Sequence, residues 1–139
     1  MNSDFTIAVH SPSYLAHLPE RVAPSDRIAR SVSVHPVRVR KVLSLLRKKG
    51  YIKSREGAKG GFELNCAPDQ VTLDELYVLT SEGSIKPKFP NPNPQCLIGS
   101  NIEKAMDGIF LDLEDQVVHY LRNYTIADIL ARVERQSRA

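Results

Sequence analysis

Cysteine and long apolar runs are both scarce in this sequence. Its 139 residues include two cysteines, Cys66 and Cys96, and no apolar run approaches the roughly 20 residues that a membrane-spanning helix needs. Two thiols are too few for a disulfide framework and are typical of a reducing compartment, where a cysteine is free, reactive or metal-bound. Residues 1–4 also lack the positive charge and following apolar stretch of a secretion signal. We therefore expect a cytoplasmic protein.

The residue patterns of common catalytic and metal sites are missing as well. The glycine-rich segment 57–61 contains Lys59 but lacks the Gly-x-x-x-x-Gly-Lys-Ser/Thr spacing that cradles phosphate. No nucleophile, base and orienting carboxylate stand out together. His10 and His17 could share a helix face, but Pro12 lies between them and no third ligand is evident. We expect neither an enzyme nor a metal or cofactor site.

Charge is distributed very unevenly along the chain. Residues 21–60 contain twelve basic and two acidic side chains, a net charge of +10, whereas residues 61–139 have a net charge of −5 and residues 1–20 one of −2. A concentrated positive field attracts polyanions and indicates nucleic-acid binding. A basic run is also compatible with an ordinary solvated helix face.

The basic region has the pattern of a helix-turn-helix. Residues 4–18 have helical spacing, and Pro12 either kinks this helix or follows a new cap at Ser11. Residues 25–26 are expected to cap a second, short helix, with a tight turn at 31–33.

A third helix is predicted after this turn. Ser33 or His35 would cap it, Pro36 would lie in its first turn, and Gly50 would end it. Its buried face is predicted to contain four aliphatic residues: Val39, Val42, Leu43 and Leu46.

Two alternating segments follow, 51–55 and 61–64, with a glycine-containing tip between them. They predict a β-hairpin, the wing of a winged helix-turn-helix. A helix capped by Thr72 and ending near Leu79 comes next, and a proline-rich connector then covers residues 83–95.

Beyond Gly99 the sequence predicts a long amphipathic helix, followed by a short helix that starts at the Thr125 cap. The apolar stripe of the long helix comprises Ile102, Met106, Ile109, Leu113, Val117, Tyr120 and Tyr124. This stripe either packs against the first helix of its own chain or forms a dimer interface. We favour the dimer, because helix-turn-helix proteins pair half-sites about one helical turn apart, although both contacts can coexist.

The predicted DNA-contacting residues lie at the start of the recognition helix and on the wing. They are Ser33, His35, Val37, Arg38, Lys41, Arg55 and Lys59. Arg38 is the preferred base reader, since its guanidinium can donate two hydrogen bonds to guanine. The basic wing residues flank glycines and are suited to the minor groove.

Five segments together resemble the Rrf2 (Rrf-two) family of bacterial transcription regulators. They are residues 33–43, 46–52, 57–64, 67–68 and 71–73, and the most specific is the Gly-x-x-Gly-Gly-aromatic run of the wing. The resemblance implies a winged-helix homodimer with a long C-terminal dimerisation helix and, commonly, repression of promoters under control of a chemical signal.

Several positions depart from the family pattern. Cluster-binding members carry three closely spaced cysteines before the long helix, whereas this chain has only Cys96 there, so we expect no iron–sulfur cluster. Glu56 occupies a position where members often have arginine, and Arg55 lies one residue earlier. Cys96 is a candidate redox or electrophile sensor, because a helix start favours a reactive thiolate; its alternative is a passive residue, as we expect for Cys66.

We therefore predict a mostly α-helical protein with a small β-hairpin wing. The predicted organisation is a winged helix-turn-helix domain at 1–82, a linker at 83–98, and dimerisation and C-terminal helices at 99–139. The predicted function is sequence-specific transcriptional regulation by a homodimeric repressor that binds a palindromic operator. Cys96 is the candidate residue through which this repressor would respond to oxidants or electrophiles. The alternatives are an interaction module whose basic face binds an acidic protein or structured RNA, and a regulator that senses a small molecule in a pocket beneath the linker.

Overall fold

The computed structural model describes residues 1–138, which form a largely helical fold with one small antiparallel sheet. The elements are α1 (Ser3–His17), β1 (Val22–Ala23), α2 (Ser25–Val32), α3 (Pro36–Lys48), β2 (Ile52–Arg55), β3 (Gly61–Leu64), a 3-10 turn (Pro68–Gln70), α4 (Leu73–Ser81), α5 (Leu97–Leu121) and α6 (Ile126–Ser137). The predicted fold class is confirmed. Within the described residues, no helix combines the length and apolarity of a membrane span.

The first helix runs through its proline without interruption. Asn2 caps α1, and Pro12 lies buried inside it, so a new helix capped at Ser11 is wrong. A proline in a helix interior costs about 3 kcal/mol, because it removes one backbone hydrogen bond. Ile7 and Leu15 lie on the same helix and are fully buried, and each such side chain contributes about 1.5–3 kcal/mol. Burial of this face therefore offsets the cost of the proline.

The helix-turn-helix forms as predicted, with one correction at the cap of α2 and one of the two predicted caps of α3 confirmed. The N-cap of α2 is Pro24, which makes no side-chain hydrogen bond, so capping by Ser25 is wrong. Ser33 adopts a left-handed conformation with φ of 63° and closes the turn. His35 is the cap of α3, because its Nδ1 accepts a hydrogen bond from the Val37 amide at 3.2 Å.

The core lies where α1, α2 and α3 meet α4 and α6. The predicted buried face of α3 is confirmed, since its four aliphatic residues are inaccessible to solvent. The other large side chains of the core are fully or almost fully buried as well: Ile7, Leu15, Ile28, Ile52, Leu76 and Ile126. This packing fixes the recognition helix against α1.

The predicted hairpin is confirmed, and a third strand joins it. β2 and β3 pair in a register that places Ile52 opposite Leu64 and Arg55 opposite Gly61. The two-residue strand β1 pairs with the other edge of β3, with Val22 opposite Glu63. The wing is therefore anchored to the segment between α1 and α2.

The two C-terminal helices contact different parts of the preceding fold, α6 contacting α1 and α5 contacting α4. Thr125 and Asp128 form the predicted cap of α6, and α6 packs against α1. Thr72 precedes α4 without making a side-chain cap and instead pairs with Thr125 through an isolated β-bridge. The predicted division at residues 82 and 98 remains a prediction.

The long helix α5 begins at Leu97 and has no buried residue. It packs mainly against α4, where the Tyr77 hydroxyl donates a hydrogen bond to Glu114 Oε1 at 2.7 Å. Burial and this hydrogen bond raise the pKa of Tyr77 to about 12. Most of the predicted apolar stripe therefore stays uncovered in a single protomer.

Candidate nucleic-acid interface

The start of α3 presents a basic face to solvent. An α-helix turns about 100° per residue, so the side opposite the buried face displays Val37 and Lys41 near the start of α3 and Lys48 at its last residue. Val37 is 60% exposed although it is apolar, and Lys41 is exposed as well. Ser33 and His35 are exposed immediately before the helix. The structure thus brings the five predicted residues of this region together at one end of α3.

Arg38 lies on a flank of this face rather than at its centre. Its Nε donates a hydrogen bond to Asp4 Oδ1 at 3.2 Å, and its Nη2 donates one to Ser3 Oγ. Both partners belong to the first turn of α1. Base reading by Arg38 remains a prediction, and its side chain is already oriented by a neighbouring helix.

Sequence reasoning missed Arg40 as a candidate contact. Arg40 is exposed on α3, three residues after Val37 and next to Lys41. The sequence could have indicated this residue by its spacing from Val37, since residues three apart share a helix face. Arg47 has a structural contact instead, because its Nη1 donates a hydrogen bond to Ser54 Oγ on β2 at 3.0 Å.

Within residues 1–138, the wing has one cation without an ion pair, Lys59, and two cations, Lys53 and Arg55, that share one carboxylate. Lys59 is exposed near the tip, and no ion pair of Lys59 occurs among residues 1–138. Arg55 lies 3.7 Å from Glu63, which Lys53 approaches at the same distance. Glu63 is therefore shared by two exposed cations, and with Glu56 it leaves residues 51–64 with a net charge of +1.

The linker lies along the start of α5. Lys86 forms ion pairs with Asp107 at 2.7 Å and Glu103 at 3.2 Å. Hydrogen bonds from Lys86 to Asp107, and to a smaller extent to Glu103, raise the pKa of Lys86. The Phe89 and Phe110 rings meet edge to face at 6.3 Å. A half-open cavity of about 530 Å³ remains between this linker and α5.

The two cysteines occupy different environments. Cys96 is exposed and caps α5, where its Sγ accepts a hydrogen bond from the Gly99 amide at 3.4 Å. Cys66 is half-buried after the wing, and burial raises the pKa of its thiol. Among residues 1–138, no group of three or more histidine, cysteine or carboxylate side chains is arranged to hold a metal ion. The donor set of one protomer therefore does not fit an iron centre or cluster.

A second concave surface lies between α1 and α6. This groove has a volume of about 740 Å³ and a largely apolar lining that includes Phe5, Val9 and Val133. His10 lies at its edge, where its Nε2 is 2.8 Å from Ser31 Oγ at the end of α2, and burial lowers the pKa of His10.

A helix-turn-helix, an adjacent basic wing and an exposed basic helix start together define a winged helix-turn-helix protein of the DNA-binding transcription-regulator class. The family model for Rrf2, described as an iron-dependent transcriptional regulator, matches residues 1–132. The chain therefore belongs to the Rrf2 family. Residues 1–138 do not bring together the group of ligand side chains that the iron named in that description would need.

Similar proteins span almost the whole chain. YwnA of Bacillus subtilis, named as an HTH-type transcriptional regulator, is 30% identical over 131 residues, which is 94% of this chain and 96% of YwnA. A solved transcriptional regulator from Lactobacillus plantarum has 33% identity and a TM-score of 0.78, with 96% of this chain and 91% of that one covered.

The fold is also shared with more distant solved structures. IscR of T. potens has a TM-score of 0.73 at 22% identity and covers 98% of this chain and 89% of its own. CymR, the global cysteine regulator of B. subtilis, has a TM-score of 0.69 at 19% identity, with 95% and 96% covered.

Proposed function

We propose that this DNA-binding regulator acts in the cytoplasm as a homodimeric repressor on a palindromic operator. The observation that supports it most strongly is the exposed basic start of α3, on a helix whose other end contacts the wing strand β2 through Arg47 and Ser54. In a helix-turn-helix, side chains near the start of the recognition helix contact base edges in the major groove. A repressor bound at a site that overlaps a promoter excludes the transcription machinery from that promoter and so represses the gene.

The proposed contacts divide by groove. Ser33, His35, Val37, Arg38 and Lys41 enter the major groove, with Arg40 beside them, while Arg55 and Lys59 approach the backbone and minor groove. Val37 is apolar and 60% exposed, which suits contact with a thymine methyl group.

The homodimer is supported by α5. Its stripe leaves Ile102 43%, Ile109 61% and Leu113 42% exposed on one side of the helix. Apolar side chains in a contiguous row are typical of a protein–protein interface. A second copy would cover the row and place two recognition helices on two half-sites.

Lys41→Ala is expected to weaken binding to an operator selected from random duplexes by about 5- to 100-fold, with a smaller effect on a scrambled duplex. The reason is that Lys41 lies at the centre of the exposed face of α3. Fluorescence anisotropy at two salt concentrations measures both affinities. Lys104→Ala is the matched control, because Lys104 is an exposed lysine on α5.

Two results would count against this function. If no selected duplex binds the wild type better than its scrambled partner, the protein is not a sequence-specific regulator, and an acidic protein or structured RNA becomes the better ligand. If Lys104→Ala weakens binding as much as Lys41→Ala, the interface is not centred on α3.

Oxidant control is proposed to act through Cys96, which is exposed and caps α5. Oxidation of this thiol to a sulfenic acid by peroxide would change the cap of the proposed dimerisation helix. We expect low peroxide to add one oxygen to Cys96 before Cys66, and to weaken operator binding in the wild type but not in Cys96→Ser. Intact-mass and peptide mass spectrometry identify the site. An unmodified Cys96 at doses that oxidise Cys66 would remove it as the sensor.

A further inference from the structure

Arg38 is held along one edge of its guanidinium. This group carries five N–H donors, and the side edge consists of Nε–H and one hydrogen of Nη2. Asp4 accepts from Nε at 3.2 Å and Ser3 accepts from Nη2. The end edge, formed by Nη1 and the second Nη2 hydrogen, makes no hydrogen bond within residues 1–138. A guanidinium end edge matches the O6 and N7 acceptors of guanine.

The two acceptors are themselves fixed in place. Asn2 caps α1 and accepts a hydrogen bond from the Asp4 amide at 3.1 Å. Its Nδ2 donates to the Thr80 carbonyl at 2.8 Å, and its Oδ1 accepts from the Ser81 hydroxyl at 2.9 Å. The first turn of α1 is thus tied to the end of α4. The Asp4 side chain is 18% exposed, so little room is left for it to turn away.

Asp4 has an unfavourable charge for a residue beside a DNA-binding surface. A carboxylate there repels phosphates and lowers the affinity for any duplex. An oriented arginine, in contrast, loses less conformational freedom when it binds one particular base. The same side chain is therefore expected to weaken non-specific binding and to improve discrimination.

We propose that Asp4 is a specificity-determining positioning residue, which with Ser3 presents the end edge of Arg38 to a guanine in the operator. This inference rests on the proposed function. It gives α1, which lies outside the helix-turn-helix, an indirect part in sequence reading through Arg38.

The test is Asp4→Asn in the full-length protein, with the operator selected by the wild type and a scrambled duplex of equal length and composition. We expect the scrambled duplex to bind more tightly and the ratio of specific to scrambled affinity to fall at least about fivefold. The folded fraction, followed by circular dichroism, is expected to stay unchanged. A merely structural role would instead weaken both duplexes together and leave the ratio intact.

Arg38→Ala supplies the readout that links the two residues. If Asp4 acts through Arg38, the double variant Asp4→Asn/Arg38→Ala has the same ratio of specific to scrambled affinity as Arg38→Ala alone. Asp26→Asn is the matched control, because Asp26 also pairs with an arginine, Arg30 at 3.4 Å, but on α2. Asp26→Asn is expected to keep the wild-type ratio.

The outcomes separate this inference from the function on which it rests. A wild type that shows no preference for any duplex overturns the proposed function. A wild type with a clear preference and an Asp4→Asn ratio equal to it overturns the positioning role alone. If Asp4→Asn does not fold, Ser3→Ala tests the same edge of Arg38 and is expected to lower the ratio by a smaller factor; an unchanged ratio then overturns the inference.

Discussion

Ile109→Asp is expected to make the protein monomeric and to lower its affinity for the operator by at least about a hundredfold. Ile109 is 61% exposed in one protomer and lies in the middle of the α5 stripe, four residues before Leu113. In a dimer its replacement would bury two unpaired carboxylates, one from each copy, and burial of an unpaired charge costs several kcal/mol. Analytical ultracentrifugation measures the oligomeric state, and anisotropy measures the affinity.

The loss of affinity follows from the loss of linked half-sites. A dimer that holds two recognition helices makes the second binding event intramolecular, which raises the overall affinity by about 10²–10⁴ without any new contact. A monomer of Ile109→Asp would keep its α3 contacts and bind one half-site. We expect its affinity for an isolated half-site to remain close to that of the wild type.

Leu111→Asp is the matched control for the stripe. Leu111 is on the same helix and is 67% exposed, but it lies two residues from Ile109 and therefore on the opposite side of α5. It is expected to leave the protein dimeric. Equal dissociation by both substitutions would contradict a one-sided interface, and a dimeric Ile109→Asp protein would show that the stripe is not the interface.

Local patterns were sufficient to predict most of the fold. The helix-turn-helix, hairpin and long helix each follow from a spacing of apolar residues and a turn residue within a few positions, such as the left-handed Ser33 or the cap at Thr125. The strand β1 was missed because two residues, Val22 and Ala23, are too short to show an alternation. Its pairing with β3 is a tertiary contact that no local pattern contains.

The candidate site was predicted less completely than the fold. The sequence identified the exposed start of α3, because helix spacing determines which residues face away from the core. It could not indicate that Arg38 contacts Asp4, since these residues are 34 positions apart and meet only after α1 packs on α3. The apolar stripe of α5 was likewise visible in the sequence, but its partner was not.

Gly61→Ala is expected to destabilise the fold by at least about 3 kcal/mol, through strain and a backbone collision together. Gly61 begins β3 with φ of 137°, a conformation that side chains rarely adopt. A Cβ atom there would lie 2.4 Å from the carbonyl oxygen of Ala23 and 2.6 Å from the nitrogen of Pro24. Both atoms belong to the backbone, so no side-chain rotation can relieve the contact. Chemical denaturation measures the loss.

Gly57→Ala separates the two causes of that loss. Gly57 lies at the wing tip with φ of 102°, yet a Cβ atom there would meet nothing within 4 Å. This substitution therefore introduces strain alone, and we expect it to cost about 1–2 kcal/mol. In Gly61→Ala, the added Cβ atom also forces β3 away from β1, the strand that anchors the wing to the segment before α2. It should therefore weaken DNA binding even under conditions in which the protein remains folded, and equal losses of stability in the two variants would contradict the close approach of these strands.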